Sequence, residues 1–548
     1  MKKKFIKFLW FLYIVGGILL LYKGLDLAIA YLYEYITHSS LASNSSHTKI
    51  VGDFLGLFKI TLGFAWIMYP LVHYFKHLEK KDKDKDKQEH GTAKIGDEDE
   101  MKGLTGDDGF VLSKNIRLSK GKSFEHVAIL GPTGSGKSTS FFIPNLLELD
   151  GKTSIVVSDP KKEMYSLTHK HLIDQGYDIK LIEPFNPDLV YNPLLIAGKS
   201  ITEMKEIAQM IMINGNKSYE IATGAKSGNA EWLNMAAPLL TASMIYSMHK
   251  GKQKDICEAM NLVLNTSDLN KLAEKFKEVP AAYQEFLIFA QAAGASKTIS
   301  GIKITLSNAL QIFTDPTIKE FTSTPFDKEE NKEEGKIYYK AKVHKLFHPK
   351  MLRMKPTVLF VCVPERKATF LMPLMSVFYS QLLNKCMDED GTPILFMLDE
   401  FANIGTIPNI ANVIATSRSR EIGISVGLQG MEQLKRNYGE DNAHDILNNL
   451  KTKVIFTGLT GTSAKYVSDL AGYTTMKTTS ESKGKDSSNK TTSSQRRELL
   501  TPDEVRRMDE DKVLIIAHSK NAVMDDKNAY YTVDKYRKIM KKHNPDWK

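Results

Sequence analysis

The residue types that could do chemistry are concentrated in one short stretch, Gly131–Thr139. It has the pattern G-x-x-x-x-G-K-[ST], in which glycines let the backbone turn tightly, so that successive N–H groups point inward at phosphate oxygens. Lys137 would reach the β- and γ-phosphates of ATP, and the Ser138 hydroxyl would bind Mg²⁺. The predicted nucleotide-binding residues are Gly131, Pro132, Thr133, Gly134, Ser135, Gly136, Lys137, Ser138 and Thr139.

A second candidate is the pair of adjacent carboxylates Asp399 and Glu400, which follows the apolar run Ile394–Leu398. This is the Walker B pattern: a buried strand would deliver Asp399 to the Mg²⁺ shell, and Glu400 could polarise the attacking water. Acidic residues can follow any buried strand, so this pattern indicates a hydrolytic site only in combination with the phosphate-binding stretch upstream. Together the two stretches predict hydrolysis of ATP with Mg²⁺.

Both stretches need a sheet to bring them together. Val127–Leu130 is typical of a buried strand, and an apolar helix is expected to begin after the glycine-rich loop. Further strands alternate with helices, which predicts an α/β fold whose parallel sheet has helices on both faces. Asp159 and Lys161 follow one such strand, at the end where ligands bind in these sheets, although a polar turn explains them equally well.

The chain between Lys137 and Asp399 is longer than a compact core of this kind needs. Residues 198–315 have apolar positions at intervals of three and four and few prolines, which predicts an inserted all-α domain. The predicted organisation is a membrane anchor at 1–78, a charged linker at 79–108, a nucleotide-binding domain in two parts at 109–197 and 316–548, the second with a C-terminal tail, and the all-α domain at 198–315.

Two apolar segments, Phe8–Tyr22 and Leu55–Phe75, are close to the length that spans a bilayer. Lysines flank the outer ends of this pair and are scarce in the loop between them, so the positive-inside rule predicts two transmembrane helices with both ends in the cytoplasm. A secretory signal peptide cleaved after Ala30 is one alternative, and it would leave the second segment as an anchor. A soluble protein with two buried helices is the other.

Composition limits the partners only loosely. The 548 residues carry a formal net charge of +10, which is compatible with nucleic acid or with an anionic membrane surface. The three cysteines are far apart in sequence, so zinc sites and disulfide frameworks are not expected. Two polar stretches, Asp327–Glu334 and Thr474–Ser494, are predicted to be an exposed loop and a mobile loop, respectively.

The motifs, taken in their order, resemble those of one family. Gly131–Thr139, Asp159–Glu163, Asn192–Leu194 and Leu398–Gly405, with Gln429 downstream, resemble the TraG/TraD family of type IV coupling proteins, the ATPases of conjugative DNA transfer. The resemblance covers nearly the whole chain. It implies a membrane-anchored homo-hexamer at the inner membrane, with a RecA-like core and a central channel. Such a hexamer delivers a relaxase joined to single-stranded DNA to a type IV secretion channel.

The same resemblance implies further site residues. Arg418 corresponds to an arginine finger that acts on the γ-phosphate of a neighbouring subunit, with Arg420 as the alternative and a surface ion pair as the plain explanation of either. Gln429 resembles the residue that senses the γ-phosphate. Lys162 departs from the family, which commonly has glycine there, and this weakens the expectation of a tight turn. The predicted catalytic residues are Lys137, Glu400, Arg418 and Gln429, and the predicted metal ligands are Ser138 and Asp399.

Two other functions remain open on the sequence alone. A double-stranded DNA translocase of the FtsK kind would share the motor, but its usual winged-helix end is not evident and the α insertion argues against it. A receptor that docks secreted protein cargo would use ATP only to switch state. No sequence-reading DNA motif is visible in the sequence. Any DNA contact is therefore expected to be with phosphates and to weaken as salt rises.

Overall fold

The computed structural model describes residues 90–547, apart from 225–229, 267, 294–295, 325, 332–335, 342 and 484–487, together with parts of a helix within 22–35. Within these residues, no helix is both long and apolar enough to cross a bilayer. The predicted spans, Phe8–Tyr22 and Leu55–Phe75, lie outside the described residues apart from Tyr22. The chain divides into two compact units, Met1–Thr92 with Thr474–Arg497 and Ala93–Tyr473 with Glu498–Lys548.

The larger unit is built on one mixed sheet. The strands of the chain are β1 (Val127–Leu130), β2 (Ser154–Ser158), β3 (Asp178–Ile182), β4 (Phe326–Asn331), β5 (Lys336–Ala341), β6 (Thr357–Val361), β7 (Ile394–Leu398), β8 (Ile422–Leu428), β9 (Thr452–Ile455), β10 (Tyr473–Lys483), β11 (Ser488–Glu498), β12 (Lys512–Ala517) and β13 (Val523–Asp526). The nine-stranded sheet has the order β13-β12-β9-β1-β8-β7-β2-β6-β3. The seven neighbouring strands from β9 to β3 in this spatial order are parallel to one another. Strand β12 pairs antiparallel with both β9 and β13.

Each face of this sheet has its own buried core, because successive side chains of a strand point to opposite faces. In β1, Ala128 and Leu130 belong to one core, and Val127 and Ile129 belong to the other. Helices cover both faces, which is why the central strands are continuous apolar runs in the sequence. The predicted α/β sheet is present, and the antiparallel edge is an addition to it.

Helices connect the strands and fill the chain between β3 and β4. They are α1 (Lys120–Ser123), α2 (Ile143–Leu147), α3 (Glu163–Asp174), α4 (Pro193–Ala197), α5 (Ile201–Thr223), α6 (Ala230–Lys250), α7 (Ile256–Leu264), α8 (Leu269–Lys277), α9 (Pro280–Ala293), α10 (Ser296–Leu310), α11 (Pro316–Thr322), α12 (Met351–Met354), α13 (Glu365–Met387), α14 (Ile410–Ser417), α15 (Met431–Tyr438), α16 (Glu440–Asn449), α17 (Gly461–Ala471), α18 (Pro502–Arg506) and α19 (Asp534–His543). The region predicted to be all-α contains no strand among its described residues. Its Ile207 and Phe276 belong to the same core as Leu428 of β8, so the helices continue one core of the sheet.

Of the predicted charged linker, 79–108, residues 79–89 lie outside the described residues, and residues from Gly96 onward pack into the larger unit. Gly96 N donates to Ala522 O (2.8 Å), so the chain joins the sheet edge there. Met101 and Leu104 are buried in the same core as Val127. These apolar residues are isolated among charges, and a prediction from overall composition misses them.

The two loop predictions at Asp327–Glu334 and Thr474–Ser494 are wrong. β4 and β5 form an antiparallel hairpin, and β10 and β11 form another. Threonine favours strands and recurs in the second stretch, whereas the strand-favouring residues of the first hairpin, Phe326, Tyr338 and Tyr339, lie outside the polar run itself, so its composition misses them. In the smaller unit, Thr475 Oγ1 accepts a hydrogen bond from His90 N (3.1 Å) and donates one to Gly91 O (3.2 Å).

Candidate functional site

The glycine-rich stretch lies at the carboxyl end of β1, near the middle of the sheet. Gly131 N donates to Leu428 O of β8 (3.0 Å), so the loop leaves the sheet in a fixed direction. Gly134 and Gly136 have φ angles of 81° and 98°, in the left-handed region that favours glycine. A π-type helical turn, Ser138–Phe142, follows and continues into α2. The loop borders a cleft of about 1000 Å³.

Lys137 is buried at the base of this cleft. Its ammonium donates to the carbonyls of Gly131 (2.7 Å) and Pro132 (3.2 Å). Burial lowers the pKa of Lys137, and the negative charges of Asp399 and Glu400 oppose that shift. The two carboxylates thus favour the charged form of Lys137, which is the form that binds phosphate.

Asp399 lies opposite the loop, at the carboxyl end of β7. Ser138 Oγ donates to Asp399 Oδ2 (2.6 Å), so the two predicted metal ligands are in contact. Burial raises the pKa of Asp399, although the hydroxyl of Ser138 and the charge of Lys137 lower it. Its other oxygen, Oδ1, is buried without a hydrogen-bond partner among the described residues. A hydroxyl and an unsatisfied carboxylate oxygen at one point fit Mg²⁺, which prefers oxygen ligands.

Glu400 and Gln429 meet at the same edge of the sheet. Gln429 Nε2 donates to Glu400 Oε2 (2.8 Å), and Gln433 Nε2 donates to Gln429 Oε1 (3.0 Å). Glu400 has a φ of 58°, a conformation that costs a non-glycine residue about 1–2 kcal/mol. Burial raises the pKa of Glu400, so the carboxylate binds a proton more readily than an exposed glutamate does. The arrangement can hold a proton acceptor in a fixed position beside Asp399.

The turn after β2 has a structural explanation for Asp159. Its carboxylate accepts hydrogen bonds from the N–H groups of Glu163 (3.1 Å) and Tyr165 (2.8 Å), which caps the start of α3. Lys161 lines the cleft and lies 3.8 Å from Glu365. The polar-turn interpretation therefore fits Asp159, and both Asp159 and Lys161 line the cleft.

The tight turn at Lys162 forms although glycine is absent. Lys162 has a φ of 56°, and its ammonium pairs with Glu183 (2.7 Å) and lies 5.5 Å from the centre of the Tyr165 ring. The turn therefore forms with lysine in place of glycine. Lys162 adopts the left-handed conformation, and its side chain contacts Glu183 and Tyr165.

Replacing Lys162 tests the cost of that conformation. Lys162→Gly and Lys162→Ala both lose the ion pair with Glu183, but only glycine relieves the backbone, so Lys162→Gly is expected to be more stable than Lys162→Ala by about 1 kcal/mol. The melting temperatures of the two full-length variants measure this difference. Equal melting temperatures, or a higher one for Lys162→Ala, would contradict the assignment of strain.

Arg418 and Arg420 lie at the amino edge of the sheet, where α14 ends just before β8 begins. The glycine-rich loop Gly131–Thr139, the P-loop, leaves the opposite, carboxyl end of β1. Because β1 is short, the two edges of the sheet are about 10 Å apart there. Arg418 Nη2 lies 2.8 Å from Oε1 of Glu125, the residue two positions before β1, and Glu125 is buried whereas the Arg418 side chain is 61% exposed. Arg420 pairs with Asp390 (3.3 Å). Within one chain, the structure does not bring either arginine to the cleft.

Residues around β12 and β13 complete the cleft, and sequence reasoning missed them. Glu510 and Asp511 line it together with residues that follow β13, including Lys527 and Tyr531. They are distant in sequence from Gly131–Thr139 and match no motif. Their only signal is the apolar run of β12, which predicts a strand without indicating its place in the sheet.

Known proteins match this chain over most of its length. The model of the family "Type IV secretory system Conjugative DNA transfer" matches residues 80–546. The protein VirD4 of Rhizobium radiobacter is 23% identical over 425 residues, which cover 74% of this chain and 57% of the relative. The probable conjugal transfer protein TraG of Sinorhizobium fredii is 22% identical over 406 residues, covering 71% and 59%. The chain thus spans less than two thirds of the length of these curated relatives.

Solved structures of the coupling protein TrwB have the same fold. The unbound TrwBdeltaN70 has a TM-score of 0.56 and 15% identity, over 79% of this chain and 92% of that one. TrwB in complex with ADP and Mg²⁺ has a TM-score of 0.56 and 16% identity, over 80% and 94%. The expectation of a P-loop, RecA-like α/β fold is confirmed. With a family model matching nearly all of the described residues, the chain belongs to the type IV secretory system conjugative DNA transfer family.

Proposed function

We propose that this chain is an ATP hydrolase that couples a relaxase–single-stranded DNA complex to a type IV secretion channel and drives its transfer. The observation that carries hydrolysis is the contact of Glu400 with Gln429 (2.8 Å), beside Asp399 and the P-loop. Family membership supports the role in conjugative DNA transfer. TrwB, which shares the fold, has been crystallised with a non-hydrolysable ATP analogue and with ADP and Mg²⁺.

Each residue of the cleft has a role in the proposed reaction. The P-loop amides and Lys137 hold the β- and γ-phosphates of ATP. Ser138 and Asp399 would hold Mg²⁺, which would supply a positive charge that stabilises the phosphate oxygens. Glu400 accepts a proton from water as the water oxygen bonds to the γ-phosphorus and the bond to the bridging oxygen of ADP breaks. Gln429 fixes the carboxylate of Glu400 and senses the γ-phosphate.

Arg418 completes the site of a neighbouring copy rather than its own. It is exposed and lies at the edge of the sheet opposite the P-loop, so a head-to-tail contact of two copies can bring it to the neighbour's γ-phosphate. A guanidinium there neutralises charge that develops in phosphoryl transfer. A homo-hexameric ring arranged in this way has one complete site at each subunit contact.

The site works on the cytoplasmic side of the inner membrane in this proposal. The apolar segments Phe8–Tyr22 and Leu55–Phe75, with their flanking lysines, support two transmembrane helices at 1–78. The nucleotide-binding domain, 109–197 and 316–548, and the helices of 198–315 then lie together in the cytoplasm.

Single-stranded DNA is expected to stimulate ATP hydrolysis by the full-length protein severalfold, and the stimulation should fall as salt rises because phosphate contacts release counterions. Phosphate release with and without DNA measures it, with Lys137→Ala as the inactive control. Equal rates with and without single-stranded DNA would favour a receptor that uses ATP as a switch. Stimulation by double-stranded DNA alone would favour a translocase of the FtsK kind.

A further inference from the structure

The segment that follows β13 lies directly against the P-loop. Lys527 Nζ donates to the carbonyl of Ser135 (2.9 Å), and Tyr530 N donates to the carbonyl of Thr139 (3.0 Å). These two contacts hold residues 527–531 along one side of the loop, from its middle to the start of the helix that follows it. The segment therefore forms one wall of the cleft.

Lys527 brings a positive charge to this wall that no acidic side chain neutralises directly. Among the described residues, no carboxylate oxygen lies within ion-pair distance of its ammonium, which instead lies 5.3 Å from the centre of the Phe456 ring. A Cβ placed on Gly136 would lie 3.8 Å from the same ammonium, so the charge lies close to the loop at Gly136. Burial lowers the pKa of Lys527, and the acids Asp511 and Glu510 oppose this from a distance.

Tyr531 provides an aromatic surface further along the same wall. Tyr531 as a residue is 53% exposed, and it lines the cleft. Tyr530 is buried, packs against Trp547 at 6.0 Å and contacts Tyr531 edge-on at 5.4 Å, so it supports the exposed ring from behind. Aromatic rings bind nucleobases by stacking, which contributes affinity but little discrimination between bases.

We propose that Lys527 and Tyr531 bind the nucleotide itself, Lys527 at the β-phosphate and Tyr531 at the base. The inference rests on the proposed function, since it assigns two more residues to the same cleft. Lys137 and Lys527 then both contact the phosphates. Asp526 of β13 also lines the cleft, so the wall that would contact the nucleotide is continuous with this edge strand.

The test measures the affinity of full-length variants for Mg²⁺–ADP and for AMP by calorimetry. Lys527→Ala is expected to weaken ADP binding about tenfold or more, as loss of a hydrogen bond to a charged group does, with little effect on AMP. Lys527→Arg should restore most of the affinity for ADP. Tyr531→Ala should weaken ADP and AMP equally, by about tenfold. Lys538→Ala removes the same charge from an exposed position of α19 and should change neither affinity.

Two results would overturn the inference. In the first, Lys527→Ala binds ADP as tightly as Lys538→Ala does. In the second, Lys527→Ala weakens AMP and ADP equally and lowers the melting temperature, as expected if Lys527 only anchors its segment to Ser135. Failure of the proposed function has a different signature, because the unmodified protein would then neither bind ADP nor hydrolyse ATP.

Discussion

Glu400→Gln is expected to lower the rate of ATP hydrolysis at least about 100-fold while nucleotide affinity stays nearly unchanged, because proton transfer to a positioned base contributes that much. Glutamine has the size of glutamate and can keep the contact with Gln429, but it cannot accept the proton of the attacking water. Phosphate release at saturating ATP measures the rate, and calorimetry with Mg²⁺–ADP measures the affinity. Glu440→Gln, at an exposed glutamate of α16, is the matched control.

The pH dependence gives the same assignment a second test. Burial raises the pKa of Glu400, and only the ionised form accepts a proton, so the rate should fall as the pH decreases toward this raised pKa. The fall should begin at a higher pH than for an exposed glutamate. The residual activity of Glu400→Gln should lack this acidic limb. Full activity of Glu400→Gln, or an unchanged acidic limb, would exclude Glu400 as the base.

Arg418→Ala is expected to reduce hydrolysis about 1000-fold or more in the assembled protein, the effect of removing an arginine finger. The fold of each subunit should survive, because the Arg418 side chain is 61% exposed and Glu125 keeps Lys122 as a partner at 2.9 Å. Arg420→Ala is the control, since Arg420 lies at the same edge and pairs with Asp390 instead. A large loss of ATP hydrolysis in Arg420→Ala with no loss in Arg418→Ala would assign the arginine finger to Arg420 instead.

Mixing inactive subunits distinguishes action on a neighbour from action within one chain. Lys137→Ala lacks the P-loop ammonium but keeps Arg418, and Arg418→Ala has the opposite defect. Where the arginine of the first meets the P-loop of the second, the site is complete, so the mixture should recover part of the activity that neither variant has alone. If Arg418 acted on its own P-loop, no mixture would recover activity.

The central site was predictable because its parts are local patterns. Gly131–Thr139 and Asp399–Glu400 each follow a short apolar run, and in a parallel sheet the carboxyl ends of such strands meet at one edge. Their juxtaposition, with Ser138 in contact with Asp399, follows from that rule. The helices of 198–315 were predictable from their apolar periodicity.

The features that were missed depend on contacts between distant residues or on backbone conformation. The approach of Lys527 to Ser135 joins segments that no pattern relates. An ion pair of Arg418 was one of the expectations, but its partner, the buried Glu125, depends on which strand ends share an edge. Lys162 adopts a left-handed turn that its residue type disfavours, and only its contact with Glu183 shows the compensation.

The order of strands in the sheet also sets when the protein can become active during its synthesis. β1 lies between β8 and β9, which the ribosome makes long after the P-loop, and Lys527 is made later still. Sheets with such distant pairings form slowly, because loop closure precedes the gain from contact. In the proposed function, a nascent chain can therefore present the proposed anchor, residues 1–78, to the membrane before its cleft exists. A chain that still lacks β8, β9 and Lys527 has no complete cleft, so it is not expected to hydrolyse ATP.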